Sequence, residues 1–293
     1  PKIMQLRYRP ALTSPLPHAS PLLALLYAAR GVKNAVELDY SLKNLLPANS
    51  LKGLDAALAL LTQAITQQWG ILVVGDFDCD GATSTSLAVL GLRDLGAHTV
   101  RYVVPDRQIH GYGLTPLLVE TCLQTLAPDA DKPVLLLTVD NGIAAHAGVS
   151  AAKEAGYQVL VTDHHLPAAT APQADAIVNP NQTGCTFASK NLCGVGVMFY
   201  VLQALNSHLH QQGILPQKRD LMRYLDLVAL GTVADMVPLD ANNRILVEQG
   251  LRRIRAGQCQ PGIIALLTVA KRHLSAVSSS DLGFAVGPRL NAA

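Results

Sequence analysis

Three groups of acidic and histidine residues stand at the ends of short apolar segments: Asp76, Asp78 and Asp80 after residues 71–75, Asp140 after residues 134–139, and Asp163, His164 and His165 after residues 157–161. Carboxylates crowded into a partly buried crevice repel one another, and a divalent cation relieves that repulsion. Imidazole beside carboxylates suits a first-row transition metal better than calcium. The residue types therefore predict a metal centre.

The apolar segments have the composition of buried strands. They are rich in leucine and β-branched residues and alternate with helical patterns, which is typical of a parallel sheet with helices on its faces. Ligands of such sheets bind beyond the carboxyl ends of the strands. We therefore predict an α/β fold, a parallel β-sheet flanked by helices, in which the three groups converge at one edge.

The remaining elements follow from periodicity and from capping residues. We predict strands at residues 71–75, 100–105, 134–139, 157–161 and 176–180. Helices are predicted at residues 22–30, 54–68, 83–95, from 116, 146–155, 197–210, 221–233, 245–255 and 263–271, with a loop at 106–113. This gives an N-terminal helical extension (1–70), an α/β core (71–240) and a helical segment (241–293), after which we expect the chain to continue.

The first acidic group has two alternative interpretations. Asp76, Asp78 and Asp80 alternate, so on an extended or loosely coiled segment their carboxylates share one face. The pattern also matches the start of an EF-hand loop, but the glutamate required six positions after the glycine is Leu87 here. A dinucleotide-binding turn needs Gly-x-Gly-x-x-Gly, whereas this turn is acidic. Both alternatives are therefore rejected in favour of a metal site.

Single residues of the other groups have ordinary explanations when taken alone. Asp140 precedes Asn141 and Gly142, a common turn pair, and a His-His pair is usually surface or core packing. Asp235 ends an apolar helical segment, where an ionised carboxylate is costly unless it is paired, metal-bound or exposed to water. The combination at one sheet edge is what favours a metal.

Composition restricts the class of protein. The 293 residues are 49% hydrophobic with a formal net charge of +2, which indicates a large core and gives no electrostatic argument for nucleic acid. No apolar run is long enough to cross a bilayer, and we expect neither a signal peptide nor a membrane partner. The five cysteines are odd in number and lack CxxC spacing, which favours reduced thiols and a cytoplasmic location.

The four motifs, in the order Asp76–Gly81, Asp140, Asp163 to His165 and Asp235, resemble those of the DHH phosphoesterase superfamily. Within it, the chain is similar to the single-strand-specific exonucleases of bacterial recombination and repair. The supporting stretches are residues 74–78, 106–114, 138–143, 161–166, 230–240 and 283–293. Together they extend over most of the chain.

The resemblance implies which residues form the metal site and which contact the substrate. A two-metal centre of Mn²⁺ or Mg²⁺ is held by Asp78, Asp80, Asp140, His164 and Asp235, with Asp140 as the bridge. Asp76, Asp163 and His165 surround the metals or face the substrate and, together with Asp140 and His164, take part in catalysis. The implied contacts to the substrate come from Arg107, His165, Arg289 and Asn291. Cys79 departs from the usual alanine, and we expect little consequence.

The function implied by the resemblance is 5′→3′ exonucleolytic hydrolysis of single-stranded DNA to 5′-mononucleotides. Single-stranded DNA is the partner, with a helicase and a single-strand-binding protein as further candidates. The alternatives are a small-substrate enzyme of the superfamily (an oligoribonuclease, a cyclic-dinucleotide phosphodiesterase or a manganese pyrophosphatase) and a non-catalytic replication scaffold. A basic patch for the strand is a further hypothesis, against the alternative of solvated helix faces, for Arg252, Arg253, Arg255, Lys271 and Arg272.

Overall fold

A five-stranded parallel sheet forms the centre of the molecule. The computed structural model describes Leu16, residues 20–129 and residues 131–292, so the first part of the predicted extension lies outside the described residues. The strand order is β2-β1-β3-β4-β5. The strands are β1 (Gly70–Val74), β2 (Thr99–Val103), β3 (Val134–Val139), β4 (Gln158–Thr162) and β5 (Ala176–Val178). The predicted fold class is confirmed.

Helices cover both faces of the sheet and form the C-terminal part. In the described residues they are α1 (Pro21–Ala29), α2 (Leu54–Thr66), α3 (Cys79–Asp94), α4 (Arg107–His110), α5 (Pro116–Thr125), α6 (His146–Glu154), α7 (Gly194–Gln211), α8 (Leu225–Ala234), α9 (Ala241–Arg255), α10 (Pro261–Val269), α11 (Ser279–Asp281) and α12 (Gly287–Asn291). A π-helical turn, Leu282–Val286, joins α11 to α12. Short 3₁₀ helices lie at Ala35–Leu38, Leu42–Asn44, Ala48–Ser50, Leu221–Tyr224 and Leu274–Ala276.

Two local predictions were wrong. Helix α3 begins at Cys79 rather than at residue 83, because the Asp78 carboxylate caps it by accepting a hydrogen bond from the Gly81 N–H (2.9 Å). Asp80 therefore lies in the first helical turn and does not share an extended face with the other two acids. The predicted loop 106–113 contains the short helix α4, which Asp106 caps in the same manner.

The sheet divides the core into two clusters. Along β1, Ile71 and Val73 pack on the side of α2, α3 and α7, whereas Leu72 and Val74 pack on the side of α5 and α6. All four side chains are fully buried. Burial on both faces is why these strands are continuous apolar runs rather than alternating ones. It also fixes the strand ends, from which the acidic groups emerge.

The C-terminal part packs back against the edge of the sheet where the acids lie. The side-chain oxygen of Asn291, at the end of α12, accepts a hydrogen bond from the Cys79 N–H (2.8 Å) at the start of α3. Within the described residues, no helix is both long and apolar enough to span a membrane. The predicted division at residues 70 and 240 stays a prediction.

Candidate metal centre

The register of the sheet brings the acidic groups to one level. Strands β1, β3 and β4 pair in parallel so that three residues form one row across the sheet: Val74, Thr138 and Val161. Asp76, Asp140 and Asp163 each follow this row by two residues. All three side chains are buried. The prediction that strand ends converge on one crevice is therefore confirmed for these acids.

Asp140 occupies a conformation that few residues adopt. Its φ is +62°, in the left-handed region that asparagine and aspartate tolerate best among residues with a side chain. A Cβ atom on Gly194, at the start of α7, would lie 2.4 Å from the Asp140 Cβ, so glycine is needed there for the close approach. The neighbouring Asn141 amide donates to the Val74 and Gly75 carbonyls (3.2 and 3.1 Å), which ties β3 to β1. Sequence reasoning treated Asn141 only as a turn residue.

His164 lies at the centre of the carboxylates. Its Nε2 atom is 3.1 Å from an Asp140 oxygen, 3.6 Å from an Asp235 oxygen and 3.8 Å from an Asp80 oxygen. The Nε2 and the Asp140 Oδ1 are both buried, and although they lie 3.1 Å apart, neither is aligned for a hydrogen bond with the other or with any other described residue. Buried polar atoms are almost always paired. A metal ion is the group that would satisfy both.

Three sets of possible ligand atoms meet here, each set lying within 4.8 Å: Asp140 with His164 and His165, Asp80 with His164 and Asp235, and Asp76 with Asp78 and Asp140. Asp140 and His164 each belong to two sets. A carboxylate has two oxygens with which to bridge neighbouring ions, so Asp140 suits a bridge, whereas the single His164 nitrogen can bind one ion only. All five residues implied as ligands are included. Asp76 and His165 are included as well, although the resemblance placed them around the metals.

Asp80 is held by the start of a distant helix. Its two oxygens accept hydrogen bonds from the N–H groups of Gly194 (2.6 Å) and Val195 (3.0 Å) at the N-terminus of α7. Positive partial charge at a helix N-terminus favours a carboxylate in this position. Sequence reasoning missed both donors, because a backbone N–H leaves no residue-type signal.

A second chain of hydrogen bonds orients His165. The Asp163 carboxylate contacts the His165 Nδ1 (2.7 Å) and accepts from the Ile143 N–H (2.9 Å), while the His165 Nε2 lies 3.0 Å from the Tyr112 hydroxyl. The hydrogen bond to Asp163 raises the pKa of His165. Burial alone would raise the pKa of Asp163, but the bonds from His165 and Ile143 keep it below its usual value. The imidazole ring is therefore fixed at the edge of the cluster.

Asp235, Asp76 and Asp140 resist ionisation, because each has a raised pKa. Burial, followed by the charges of neighbouring aspartates, raises the pKa of Asp235 to about 7. Burial also raises the pKa of Asp76 to about 6. The pKa of Asp140 is raised for the same reasons, burial first and then the Asp80 and Asp78 charges. Such a cluster stores repulsion that a divalent cation removes.

Replacing Asp235 with asparagine should stabilise the metal-free chain, and the gain should grow with pH. The folded chain holds a proton on Asp235 up to about pH 7, whereas the unfolded chain loses it near pH 4, so the free energy of unfolding falls across this window. Asparagine does not ionise, so Asp235→Asn removes this fall in the free energy of unfolding. Thermal unfolding in chelator should show a gain of roughly 5 °C at pH 8 and almost none at pH 4. An equal gain at both pH values would contradict the assignment of a raised pKa.

The predicted substrate contacts differ in their surroundings. The exposed Arg107 guanidinium lies 5.0 Å from the Phe77 ring centroid, beside the first acidic group. Arg289 donates a hydrogen bond to the Ala285 carbonyl, and the Asn291 oxygen is engaged by Cys79. Arg107 therefore places a charged group at the edge of the acidic cluster. The roles of all three stay predictions.

The hypothesised basic patch is largely paired. Arg252 contacts Glu248 (2.8 Å), and Arg272 contacts Asp281 (3.1 Å). Arg255 donates to the Val277 carbonyl (2.8 Å). These contacts favour the alternative of solvated helix faces over a surface prepared for phosphates.

Comparison with known proteins decides the family. The model of the DHH family, N-terminal domain, matches residues 70–232, more than half of the chain. The chain belongs to the DHH family. The match includes the strands of the sheet and helices α3, α7 and most of α8, so this DHH domain carries every predicted ligand except Asp235, which lies three residues beyond it.

The chain is also similar to individual members of the family. It is 54% identical to the single-stranded-DNA-specific exonuclease RecJ of Salmonella typhimurium strain LT2, over 99% of the chain and 50% of that relative. A structure of RecJ from Thermus thermophilus in complex with Mn²⁺ is 36% identical with a TM-score of 0.71, covering 91% of this chain and 36% of that one. Its counterpart in complex with Mg²⁺ is 33% identical with a TM-score of 0.62, covering 93% and 33%. The chain spans about half the length of the Salmonella relative.

Proposed function

We propose that this DHH-family chain carries the catalytic centre of a metal-dependent exonuclease that hydrolyses single-stranded DNA to 5′-mononucleotides, in the 5′→3′ direction, during recombination and repair. The observation that carries the proposal is the position of Asp140, whose carboxylate belongs to two adjoining sets of ligand atoms. A pair of ions about a shared carboxylate is typical of phosphodiester hydrolysis. The similarity to single-strand-specific exonucleases supports the substrate class.

The donor set fits Mn²⁺ or Mg²⁺. Carboxylate oxygens suit both ions, and the single imidazole nitrogen at the centre favours Mn²⁺. Asp78, Asp80, Asp140, His164 and Asp235 would hold the ions. Such ions lower the pKa of a water molecule and neutralise charge on the phosphate. The complexes of the Thermus relatives with Mn²⁺ and with Mg²⁺ agree with this choice.

The chain's own groups would position the scissile phosphate and move the proton. The hydrolysis adds a water oxygen to phosphorus and breaks the bond from phosphorus to the 3′ oxygen, which must receive a proton. His165 suits this role, because Asp163 holds its ring and its raised pKa favours the protonated form. Arg107, on the exposed face of Phe77, is placed to contact a neighbouring phosphate.

Removing the His165 imidazole should lower turnover without removing the metal. We expect His165→Ala to reduce the rate of strand hydrolysis by about 10²-fold, the usual contribution of a positioned proton donor. Mn²⁺ occupancy, measured by calorimetry, separates this loss from a loss of metal. Unchanged turnover at full Mn²⁺ occupancy would show that His165 neither donates the proton nor positions the phosphate.

The substrate class is tested by competition between substrates. A 5′-labelled single strand, a matched 3′-labelled strand, a duplex, a trinucleotide and inorganic pyrophosphate should be compared at equal concentration with Mn²⁺. The proposal predicts mononucleotides released first from the 5′ label and slow hydrolysis of the others. Preferred cleavage of the trinucleotide or of pyrophosphate would assign a small-substrate enzyme instead. Binding of the strand without hydrolysis would assign a scaffold, although the complete ligand set speaks against one.

The same proposal includes protein partners and a cellular location. A helicase, which supplies single strands, and a single-strand-binding protein are the proposed protein partners, to be tested by co-purification with the chain. The cytoplasm is the proposed location, in agreement with five cysteines that are all free thiols.

A further inference from the structure

A cavity of about 920 Å³ lies between the N-terminal helical extension and the start of α9. Its wall is formed by the end of α1 with the turn that follows, by parts of the segments 37–46 and 188–191, and by the segment 238–244. Its volume is within the range of small-molecule sites. The wall and the three sets of metal-ligand atoms have no residue in common, so a ligand here would be separate from the metal centre.

Two cations at this cavity are available to an anion. Arg30 and Lys33 belong to the wall, and both are exposed. Among the described residues, neither of them forms an ion pair with a carboxylate. Hydrogen bonds from charged donors to phosphate oxygens are about twice as strong as those between neutral groups. The pair therefore suits a phosphate group.

The two acids of the wall are engaged within the protein. The Glu37 carboxylate lies 3.5 Å from an Arg244 nitrogen. The Asp240 carboxylate accepts hydrogen bonds from the Ser189 hydroxyl (2.7 Å) and from the Asn191 amide (3.2 Å). The charge that the wall leaves without a partner is therefore positive.

Two tyrosines of the wall offer aromatic surface. Tyr27 and Tyr40 are both half-buried. Burial raises the pKa of Tyr40, and the nearby Tyr27 adds to this rise, so the two side chains are neighbours. The Tyr40 carbonyl accepts a hydrogen bond from the Gln249 amide of α9 (2.6 Å), which fixes this segment. A fixed aromatic ring is a surface on which a nucleobase stacks without sequence preference.

The Asn242 side chain supplies a buried donor that lacks an acceptor. It belongs to the wall and is 4% exposed. Its oxygen accepts hydrogen bonds from the Leu46 N–H (3.1 Å) and the Tyr200 hydroxyl (2.8 Å), whereas its Nδ2 has no partner among the described residues. Buried polar atoms are almost always paired. A carbonyl or ring nitrogen of a base would accept from this amide.

The surroundings of the cavity suit a single nucleotide rather than a strand. Helix α1 carries no charged residue, and four of its leucines are 40% to 67% exposed: Leu22, Leu23, Leu25 and Leu26. On the other side, residues 34–42 include Glu37 and Asp39 but no lysine or arginine, and the next cation, Lys43, pairs with Asp39 (3.4 Å). A strand needs a row of cations for its successive phosphates. Neither side of the cavity provides one.

We propose that this cavity binds a free mononucleotide, with its base against the two tyrosines and the Asn242 amide and its phosphate at Arg30 and Lys33. The inference goes beyond the proposed function, because it assigns to the chain a second nucleotide site at which no bond is cut.

The test counts bound nucleotides. Calorimetry of the Mn²⁺-loaded chain with thymidine 5′-monophosphate should show one molecule fewer for Lys33→Glu than for the parent chain. Lys218→Glu, at an exposed lysine outside the cavity, should bind as many molecules as the parent. Deoxyribose 5-phosphate, which lacks the base, should bind about tenfold more weakly at the position that Lys33→Glu removes.

A second variant keeps the charge of the wall. Ala188→Trp fills the cavity from an exposed position and should also bind one molecule fewer than the parent. Ala265→Trp, at an exposed position of α10 outside the cavity, should bind as the parent does. A full number of bound molecules in a folded Lys33→Glu or a folded Ala188→Trp variant would overturn the proposal. Equal affinity for the compound without a base would overturn it as well.

A trinucleotide distinguishes the free nucleotide from the strand. In chelator, where no metal supports cleavage, thymidine trinucleotide should bind at the cavity no more tightly than the mononucleotide. A tenfold gain that Lys33→Glu removes would assign the cavity to the strand and overturn the proposal. The count is a difference between variants, so it does not depend on whether the metal centre binds nucleotides or cuts DNA.

Discussion

Asp140→Asn is expected to abolish strand hydrolysis, with a loss of about 10³-fold or more. Among the described residues, Asp140 is the one acid that belongs to two sets of ligand atoms, so loss of its carboxylate weakens both metal positions at once. Asparagine tolerates the left-handed backbone at this position, where φ is +62°, so the fold should persist. Turnover and Mn²⁺ binding should be measured on the same preparation.

The metal-free form of this variant provides a second readout. Removing one buried charge from the cluster should raise the unfolding temperature above that of the parent chain. Asp131→Asn, which removes the same charge from an exposed residue before β3, at the opposite end of that strand from Asp140, serves as the control and should change neither property. Activity retained in Asp140→Asn would exclude Asp140 as the bridging ligand.

His164→Ala is expected to have the next largest effect. Its Nε2 is the nitrogen that lies within 4 Å of Asp80, Asp140 and Asp235, and it has no hydrogen-bond partner among the described residues. Loss of a metal ligand should weaken Mn²⁺ binding and reduce turnover by about 10²-fold or more.

Three measurements distinguish this role from a structural one. Added imidazole should restore part of the activity of His164→Ala, because the cavity left by the side chain admits it. His98→Ala, at an exposed position, should behave like the parent chain. Full Mn²⁺ affinity in His164→Ala would show that the imidazole is not a ligand, whatever the effect on turnover.

The sheet and the three acids at strand ends follow directly from the sequence. Continuous apolar runs identify buried parallel strands, and parallel strands place their carboxyl ends together. The alignment of Asp76, Asp140 and Asp163 at one level depends on strand register, which the spacing of apolar residues does not give. The convergence of the strand ends was therefore predictable from the sequence, whereas the alignment of the three aspartates at one level was not.

The contributions of the helices to the metal centre were harder to predict from the sequence. Asp80 was expected on an extended segment, but capping by Asp78 starts α3 earlier and turns Asp80 toward the N-terminus of α7. Asp235 reaches the site because α8 packs on α3. A Cβ on Gly231 would come within 2.7 Å of an Asp80 oxygen, so only glycine permits that approach. Such contacts between distant residues leave no periodic signal. The position of an acid at the end of an apolar helical segment singled out Asp235, and the family resemblance placed it among the metal ligands.

The proposed function requires that the acids and His164 form a metal centre that hydrolyses single-stranded DNA. The most direct test is mononucleotide release from a labelled single strand while Mn²⁺ is titrated into the metal-free chain, with Asp140→Asn alongside. Release should rise with metal occupancy in the parent chain and stay at background in the variant. Equal release by both chains, release in the presence of chelator, or failure of the parent chain to bind Mn²⁺ would contradict the proposed function.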